Sequence, residues 1–388
     1  MKKVMLIILL LTLSFCSEST KNNLNKKSTF VETFGGADPD FGKSVIQDID
    51  GGFAITGCKG VYDISSRDLW LIKTDIYGNE EWNRIFGGEA FDSGEDLQQT
   101  NDEGFILTGW TNSYGAGDYD LWLVKTDADG NEEWNYTFGD TGEDRGFAVK
   151  QTADFGFIVA GFASLSRNGE SNAWLIKTDS TGSQEWGKTF HLNYFDCAYD
   201  VDQTTDEGYI MTGNTTSLGT SYGWLIKTDE NGNEEWRTDF PGLDVKACYS
   251  LAKSGDGGFV VTGYTEGSQD DTDVIIIKID EYGDTEWHVT YDDSGNEKGN
   301  SITVTSESNF IVTGYKENVS GDMSELLLLK LTGGGNLAWS KIFDLSLRDY
   351  GYDVIEASDS GYVVTGMTEI DEEGEVLLMK TDENGNVH

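Results

Sequence analysis

Proline is nearly absent from this chain: there are two in 388 residues, against 48 glycines. No Pro-rich linker divides the sequence, and its turns must rest on glycine, which enters positive φ without a Cβ clash. Histidine is almost as scarce, at His191, His288 and the terminal His388. Three scattered imidazoles give no grouping for a zinc site or a Ser-His-Asp relay. Of the four cysteines, Cys16 lies near the start, leaving Cys58, Cys197 and Cys248. An odd set does not describe a disulfide framework, and buried thiols are expected. A Cys197–Cys248 bridge stays open, although their offset from Val201 and Leu251 points them to opposite faces. Positive charge is the last shortage: 27 Lys and Arg against 69 Asp and Glu give a formal net charge of −42. Such a chain repels phosphate backbones and anionic headgroups, which argues against nucleic acid as a partner. The acids run through the whole sequence, as expected of a solubilising surface.

One apolar run stands apart. Lys2 and Lys3 precede Val4 to Leu13, too short to span a bilayer as a permanent helix. Leu13-Ser14-Phe15-Cys16 follows, then polar Ser17-Glu18-Ser19. This resembles a bacterial lipoprotein signal, which implies a leader over 1–15, Cys16 as the lipidated N-terminus and a polar linker over 16–27. Phe15 departs from the small residue usual there; simple secretion and an uncleaved anchor are the alternatives. Beyond the lipid, no membrane contact is expected.

What the chain has in abundance is repetition. An apolar run ending in Lys recurs at Lys73, Lys125, Lys177, Lys227, Lys278, Lys330 and Lys380, spaced 52, 52, 50, 51, 52 and 50 residues apart. Around it recur a first-strand apolar residue (Val45, Leu97, Val149, Val201, Leu251, Ile302, Val354) and a second-strand glycine (Gly57, Gly109, Gly161, Gly213, Gly263, Gly314, Gly366). A period of this length filled with short strands predicts a β-propeller, with four antiparallel strands per blade. The fourth-strand Trp recurs only six times, at Trp82, Trp134, Trp186, Trp236, Trp287 and Trp339. The sequence stops where a seventh is due, and a spare copy, Phe30-Val31-Glu32-Thr33-Phe34, precedes the first repeat. The expectation is therefore an all-β, seven-bladed propeller over 28–388, closed by the N-terminal strand pairing with the last blade.

The repeat, Gly51-Gly-Phe-Ala-Ile-Thr-Gly57 followed by Asp68-Leu-Trp-Leu-Ile-Lys-Thr-Asp75, Gly78-Asn79 and Trp82, resembles secreted bacterial and archaeal propeller proteins over about residues 28 to 386. The Asp-x-x-Gly-x-x-x-Trp element is also distantly similar to the tryptophan-docking repeat of quinoprotein-type propellers. That group implies a quinone and Ca²⁺ site, for which no vicinal cysteines or matching constellation are found, so no cofactor is expected. The turns at 75–79, 127–131 and 229–233 read as hairpin turns; only Asp127-x-Asp129-x-Asn131 has calcium-like spacing, and no metal ligand is assigned.

The first-to-second and third-to-fourth turns are short and repetitive, whereas the other connections vary between repeats. The variable set carries aromatic and basic residues: Phe41, Phe91, Arg145, Tyr194, Phe195, Lys246, Lys298, Arg348, Tyr350 and Tyr352. These are the candidate ligand-binding residues, because loops on a rigid scaffold are where binding resides. No catalytic residue is assigned. The expectation is an exported, lipid-anchored, monomeric binding or scaffold protein of the outer membrane or cell surface, alternatively periplasmic or secreted, whose partner is an envelope protein or a glycan. A carbohydrate-active enzyme using carboxylates of the same face, and a purely structural envelope component, are the rivals.

Overall fold

The computed structural model describes residues 29–388 apart from 37, 61–65, 165–168, 268–270, 319 and 371–372. The leader, the linker and Cys16 lie outside the described residues. Among the described residues there are 28 β-strands and no helix.

The second repeat shows how the sequence makes its sheet. Strands β6 (Asp92–Gln99), β7 (Phe105–Thr111), β8 (Asp120–Thr126) and β9 (Glu132–Phe138) pair antiparallel in chain order. Every residue of β8 is buried, so the unbroken apolar run Leu121-Trp-Leu-Val124 feeds both faces of its sheet. On β9 most side chains reach solvent, and Phe138 closes the strand against the core. The β8–β9 turn is built by Asp127, whose Oδ1 accepts the Asp129 and Asn131 amides at 3.0 and 2.8 Å, with Gly130 at φ 75°. Its Oδ2 accepts the Asn131 side-chain amide at 2.9 Å, so both carboxylate oxygens are engaged inside the hairpin.

The recurrent second-strand glycine has a specific cause. Each first strand carries a β-bulge, between Gly42 and Ser44 in the first repeat and between Gly94 and Asp96 in the second. The bulge pushes a carbonyl oxygen toward the facing strand. A Cβ on Gly57 would lie 1.8 Å from the Phe41 oxygen, and one on Gly109 1.8 Å from the Ser93 oxygen. The threonine just before this glycine ties the sheet further: the Thr108 hydroxyl donates to the Trp122 carbonyl at 3.1 Å.

The recurrent lysine is structural. Lys125 is 3% exposed, and its ammonium lies 3.0 Å from both Asp102 and Glu133 while donating to the Thr126 carbonyl at 2.7 Å. Lys73, Lys177, Lys227 and Lys278 repeat the clasp. Lys380 keeps one carboxylate, Asp359 at 2.6 Å, and Lys330 departs furthest, half-buried over the Tyr362 ring at 5.5 Å.

Each fourth-strand Trp packs on the following repeat. Trp82 meets Phe105, Trp134 meets Phe157, Trp287 meets Phe310 and Trp339 meets Tyr362. The spare N-terminal segment joins this series. Strand β1 (Phe30–Phe34) pairs antiparallel with β28 (Glu373–Lys380), from Phe30 opposite Lys380 to Phe34 opposite Val376. Phe30 then packs on Phe53 of the first repeat. First strands also lie beside one another, β26 (Asp349–Glu356) beside β2 (Phe41–Gln47) included.

Candidate functional site

The extra residue of each first-strand bulge is Lys43, Glu95, Phe147, Tyr199, Tyr249, Asn300 or Tyr352. These side chains meet across repeats. Lys43 lies 4.4 Å above the Tyr352 ring and 3.9 Å from Glu95. Phe147 packs edge-on against Tyr199 at 5.4 Å, and Tyr199 against Tyr249 at 5.2 Å. Asn300 donates to the Gly351 carbonyl at 2.8 Å. Burial raises the pKa of the Tyr199 and Tyr249 hydroxyls, keeping both neutral.

One residue further on, a polar layer braces neighbouring repeats. The Val149 amide donates to Asp96 at 2.9 Å, Leu251 to Asp200 at 2.8 Å and Val45 to Asp353 at 2.9 Å. Lys150 completes the Asp96 contact at 3.0 Å. Burial lifts Asp200 to about 7 despite the opposing charge of Lys150. These carboxylates accept backbone amides and serve as struts.

The ten predicted residues do not meet in one pocket. Tyr350 and Tyr352 stack, with centroids 6.1 Å apart and planes 5° from parallel, and Tyr315 packs edge-on against Tyr350 at 4.8 Å. Arg145 sits between the rings of Trp110 and Tyr119, 4.5 and 4.8 Å from their centroids, and pairs with Glu143. Lys298 lies 4.5 Å over Tyr264, and burial lowers its pKa. Phe195 packs on Phe162 at 5.6 Å. Arg67 links Phe41, whose ring it covers at 5.1 Å, to Phe91 through a backbone bridge. Lys246 is held by Asp244 and Glu266, both at 2.8 Å. Arg348 and Tyr194 are exposed, the former 3.7 Å from Glu369.

Two open cavities lie elsewhere. One, about 500 Å³, runs between Ile85 and Tyr136 beneath Tyr114. The other, about 560 Å³, is bordered by Ile46, Val304 and Ile355 near the short-turn end of the first strands. Neither is lined by a predicted binding residue.

The loops themselves are built on buried acids. Asp92, Asp144, Asp196 and Asp349 each accept an amide from four residues earlier, at 2.9, 3.0, 2.7 and 2.7 Å. Thr111, Thr215 and Thr368 donate hydroxyls to three of them. Cys58, Cys197 and Cys248 are free and buried, and burial pushes the Cys58 thiol up to about 11. One further cluster escaped the sequence reading. Asp271, Asp273 and Asp292 converge with carboxylate oxygens within 4.8 Å of one another. Only strand register brings Asp292 to the other two, so no spacing motif announces it.

Among solved structures, the chain resembles Sqt1 from Chaetomium thermophilum. One structure of that protein matches at 10% identity and TM-score 0.52, covering 87% of this chain and 83% of that one. Another matches at 10% identity and TM-score 0.51, covering 92% and 97%. The fold is β-propeller-like. At this identity the likeness extends to the fold alone. No protein-family model and no curated protein matches the chain.

Proposed function

We propose that this chain is an exported, seven-bladed propeller acting as a non-catalytic binding protein at the cell envelope, with its ligand on the variable-loop face. The seven blades are the seven repeats, and β1 closes the ring on β28. Closure is supported by the Phe30–Phe53 contact and by the Ser358 amide, which donates to Gln47 at 2.7 Å from the last repeat to the first. Residues 28–388 then form one domain behind a leader over 1–15 and a linker over 16–27. Cys16 carries a lipid that holds the monomeric ring at a membrane surface.

The observation that carries the binding reading is a group of five cations at one end of the sheets. In a chain of net charge −42, Arg67, Arg145, Lys43, Lys59 and Lys298 each lie over an aromatic ring at the variable-loop end of the sheets. Cations held over aromatic planes offer a sugar or a protein side chain a stacking surface and a charged donor together. Tyr194, Leu345 and Leu347 stand exposed in the adjoining loops. Four carboxylates of this face, Asp92, Asp144, Asp196 and Asp349, are committed to loop amides, which favours recognition over catalysis there.

The test uses exposed positions, so that folding is preserved. Tyr194→Ala with Arg348→Glu should weaken capture of an envelope glycan or protein at least tenfold, with an unchanged melting temperature. Unchanged capture would move the ligand to another surface. Release of reducing-end or unsaturated sugars by the purified protein would instead establish an enzyme. Incorporation of a labelled lipid precursor, lost in Cys16→Ala, tests the anchor.

A further inference from the structure

We propose that the rim where the fifth and sixth repeats meet holds a divalent cation, Ca²⁺ by its oxygen donors, on Asp271, Asp273 and Asp292, with Glu297 beside them. This inference stands apart from the binding reading.

The register builds the site. Strand β20 (Thr272–Ile279) pairs antiparallel with β21 (Thr285–Tyr291), Val274 opposite Tyr291. Continuing that ladder by one residue sets Asp273 against Asp292. Asp271 is two residues before Asp273, which places both on one face of an extended chain. Strand β22 (Asn296–Val304) joins β20 in parallel through Thr272 and Asn296, bringing Glu297 to the same rim. No two of the three aspartate ligand oxygens are further apart than 4.8 Å. That is the separation of two oxygens on opposite sides of an ion bound at about 2.4 Å, within the range of Ca²⁺.

A cluster of acids alone would be an ordinary surface. Here two of the carboxylates are buried and lack donors. Asp273 is 8% exposed, and its Oδ1 has no hydrogen-bond partner among the described residues. Glu297 is 0% exposed, and neither carboxylate oxygen has one. A buried carboxylate without donors needs either a proton or a cation.

The other repeats supply an internal control. Glu297 occupies the place of Asp92, Asp144, Asp196 and Asp349, each saturated by a loop amide. In this repeat the equivalent amide, that of Asp293, is near enough to favour the charged carboxylate but makes no full hydrogen bond to either oxygen. Lys316, opposite Glu297 across the ladder, lends it charge but no hydrogen bond, its ammonium being bonded to the carbonyl and carboxylate of Asp293. Gly267 lies over the cluster: a Cβ there would come 2.2 Å from Asp271 Oδ1 and 2.7 Å from Asp273 Oδ1. From Asp273, buried, through Asp271 to the exposed Asp292, the carboxylates lead from the interior to solvent, which gives an ion its way in.

The experiment is calorimetric titration of chelator-stripped protein with CaCl₂ alone, paired with melting curves in CaCl₂, MgCl₂ and EGTA. One saturable site per chain is expected, with Ca²⁺ raising the melting temperature by several degrees and Mg²⁺ by less. Asp273→Asn and, should that variant fold poorly, the exposed Asp292→Asn should weaken the saturable step at least tenfold. Asp127→Asn, in the hairpin turn, should leave it unchanged. Weak, non-saturating uptake of the same size in all variants would overturn the proposal, as would a saturable step that survives Asp273→Asn and Asp292→Asn.

Discussion

Phe30 packs on Phe53 with ring centroids 6.1 Å apart, the same separation at which Trp82 packs on Phe105. The two contacts are chemically alike but topologically different. Trp82 joins neighbouring repeats, whereas Phe30 carries the sheet of the last repeat to the first. Gly78 accommodates the Phe30 ring as Gly130 accommodates Trp82, since a Cβ on either would come within 2.5 Å of the aromatic atoms. Deleting residues 29–36 should therefore cost more than an ordinary terminal truncation. The loss of the β1–β28 ladder and the Phe30 and Phe34 packing is expected to reach about 4 kcal/mol or more, and Phe30→Ala alone about 2 kcal/mol. Denaturant unfolding of the three proteins checks this; equal midpoints would show that the segment contributes nothing to stability.

The buried lysines give a contrast within one chain. Lys125→Met removes a cation clasped by two carboxylates and a carbonyl, and should cost about 3 kcal/mol. At the equivalent site of the sixth repeat, Lys330 has no ion-pair partner among the described residues, and Lys330→Met should cost about 1 kcal/mol or less. Urea midpoints in which both substitutions cost the same would refute the clasp as the source of the difference.

Gly109→Ala tests the bulge. Its added methyl would meet the Ser93 carbonyl oxygen at 1.8 Å, so the first and second strands of that repeat must part. Several kcal/mol of destabilisation are expected by comparison with mutations that strain a core. Gly36→Ala, where a Cβ would have nothing within 4 Å, is the control. A Gly109→Ala protein melting with the control would show that the ladder yields cheaply.

Stability should depend on pH in a direction set by buried acids. Burial raises Asp40 and Asp144 to about 6 and Asp200 to about 7. A carboxyl raised in the folded state stabilises fully below its unfolded value near 3.8 and loses that contribution as pH climbs through the folded value. Two other groups act oppositely. The Ser254 hydroxyl, with Lys278, lowers Asp256 to about 2; at Asp206, bonds from Thr204 and Lys227 overcome burial and reach the same value. Their contribution is lost between about 3.8 and 2. The melting temperature should thus rise on going from pH 8 to pH 5, on the order of 5 °C, and fall below pH 3.5. A flat or rising profile between pH 5 and 8 would contradict these burial effects.

The fold was largely legible because its signals are local and repeated. Apolar runs such as Leu121-Trp-Leu-Val124, glycine turns such as Gly130 and the orphan Phe30 segment each state their role in a few neighbouring residues. The reasons behind the motif were less visible. Gly109 reads as a turn or strand end in sequence, whereas the Ser93 carbonyl across the ladder is what forbids a side chain. Lys125 reads as punctuation, and its two carboxylate partners lie 23 residues before it and 8 after it. The site was the least legible part. Loop variability marks a rim but does not say which side chains face one another, so Arg145 and Lys298 emerge in separate aromatic contacts instead of a shared pocket. Asp273 and Glu297 come from two strands and Asp292 from the residue just past a third, and only pairing register makes them neighbours.

The bulges carry a consequence for redesign. Each repeat donates one surplus side chain, from Lys43 to Tyr352, whose identity the ladder hydrogen bonds do not specify. Those seven positions form one set of side chains mounted on the strand bulges, each answering to its neighbours in the set and not to the ladder. Rewriting them in combination should change the chemistry of the surface these side chains share, while the ladder hydrogen bonds on either side of each bulge remain available.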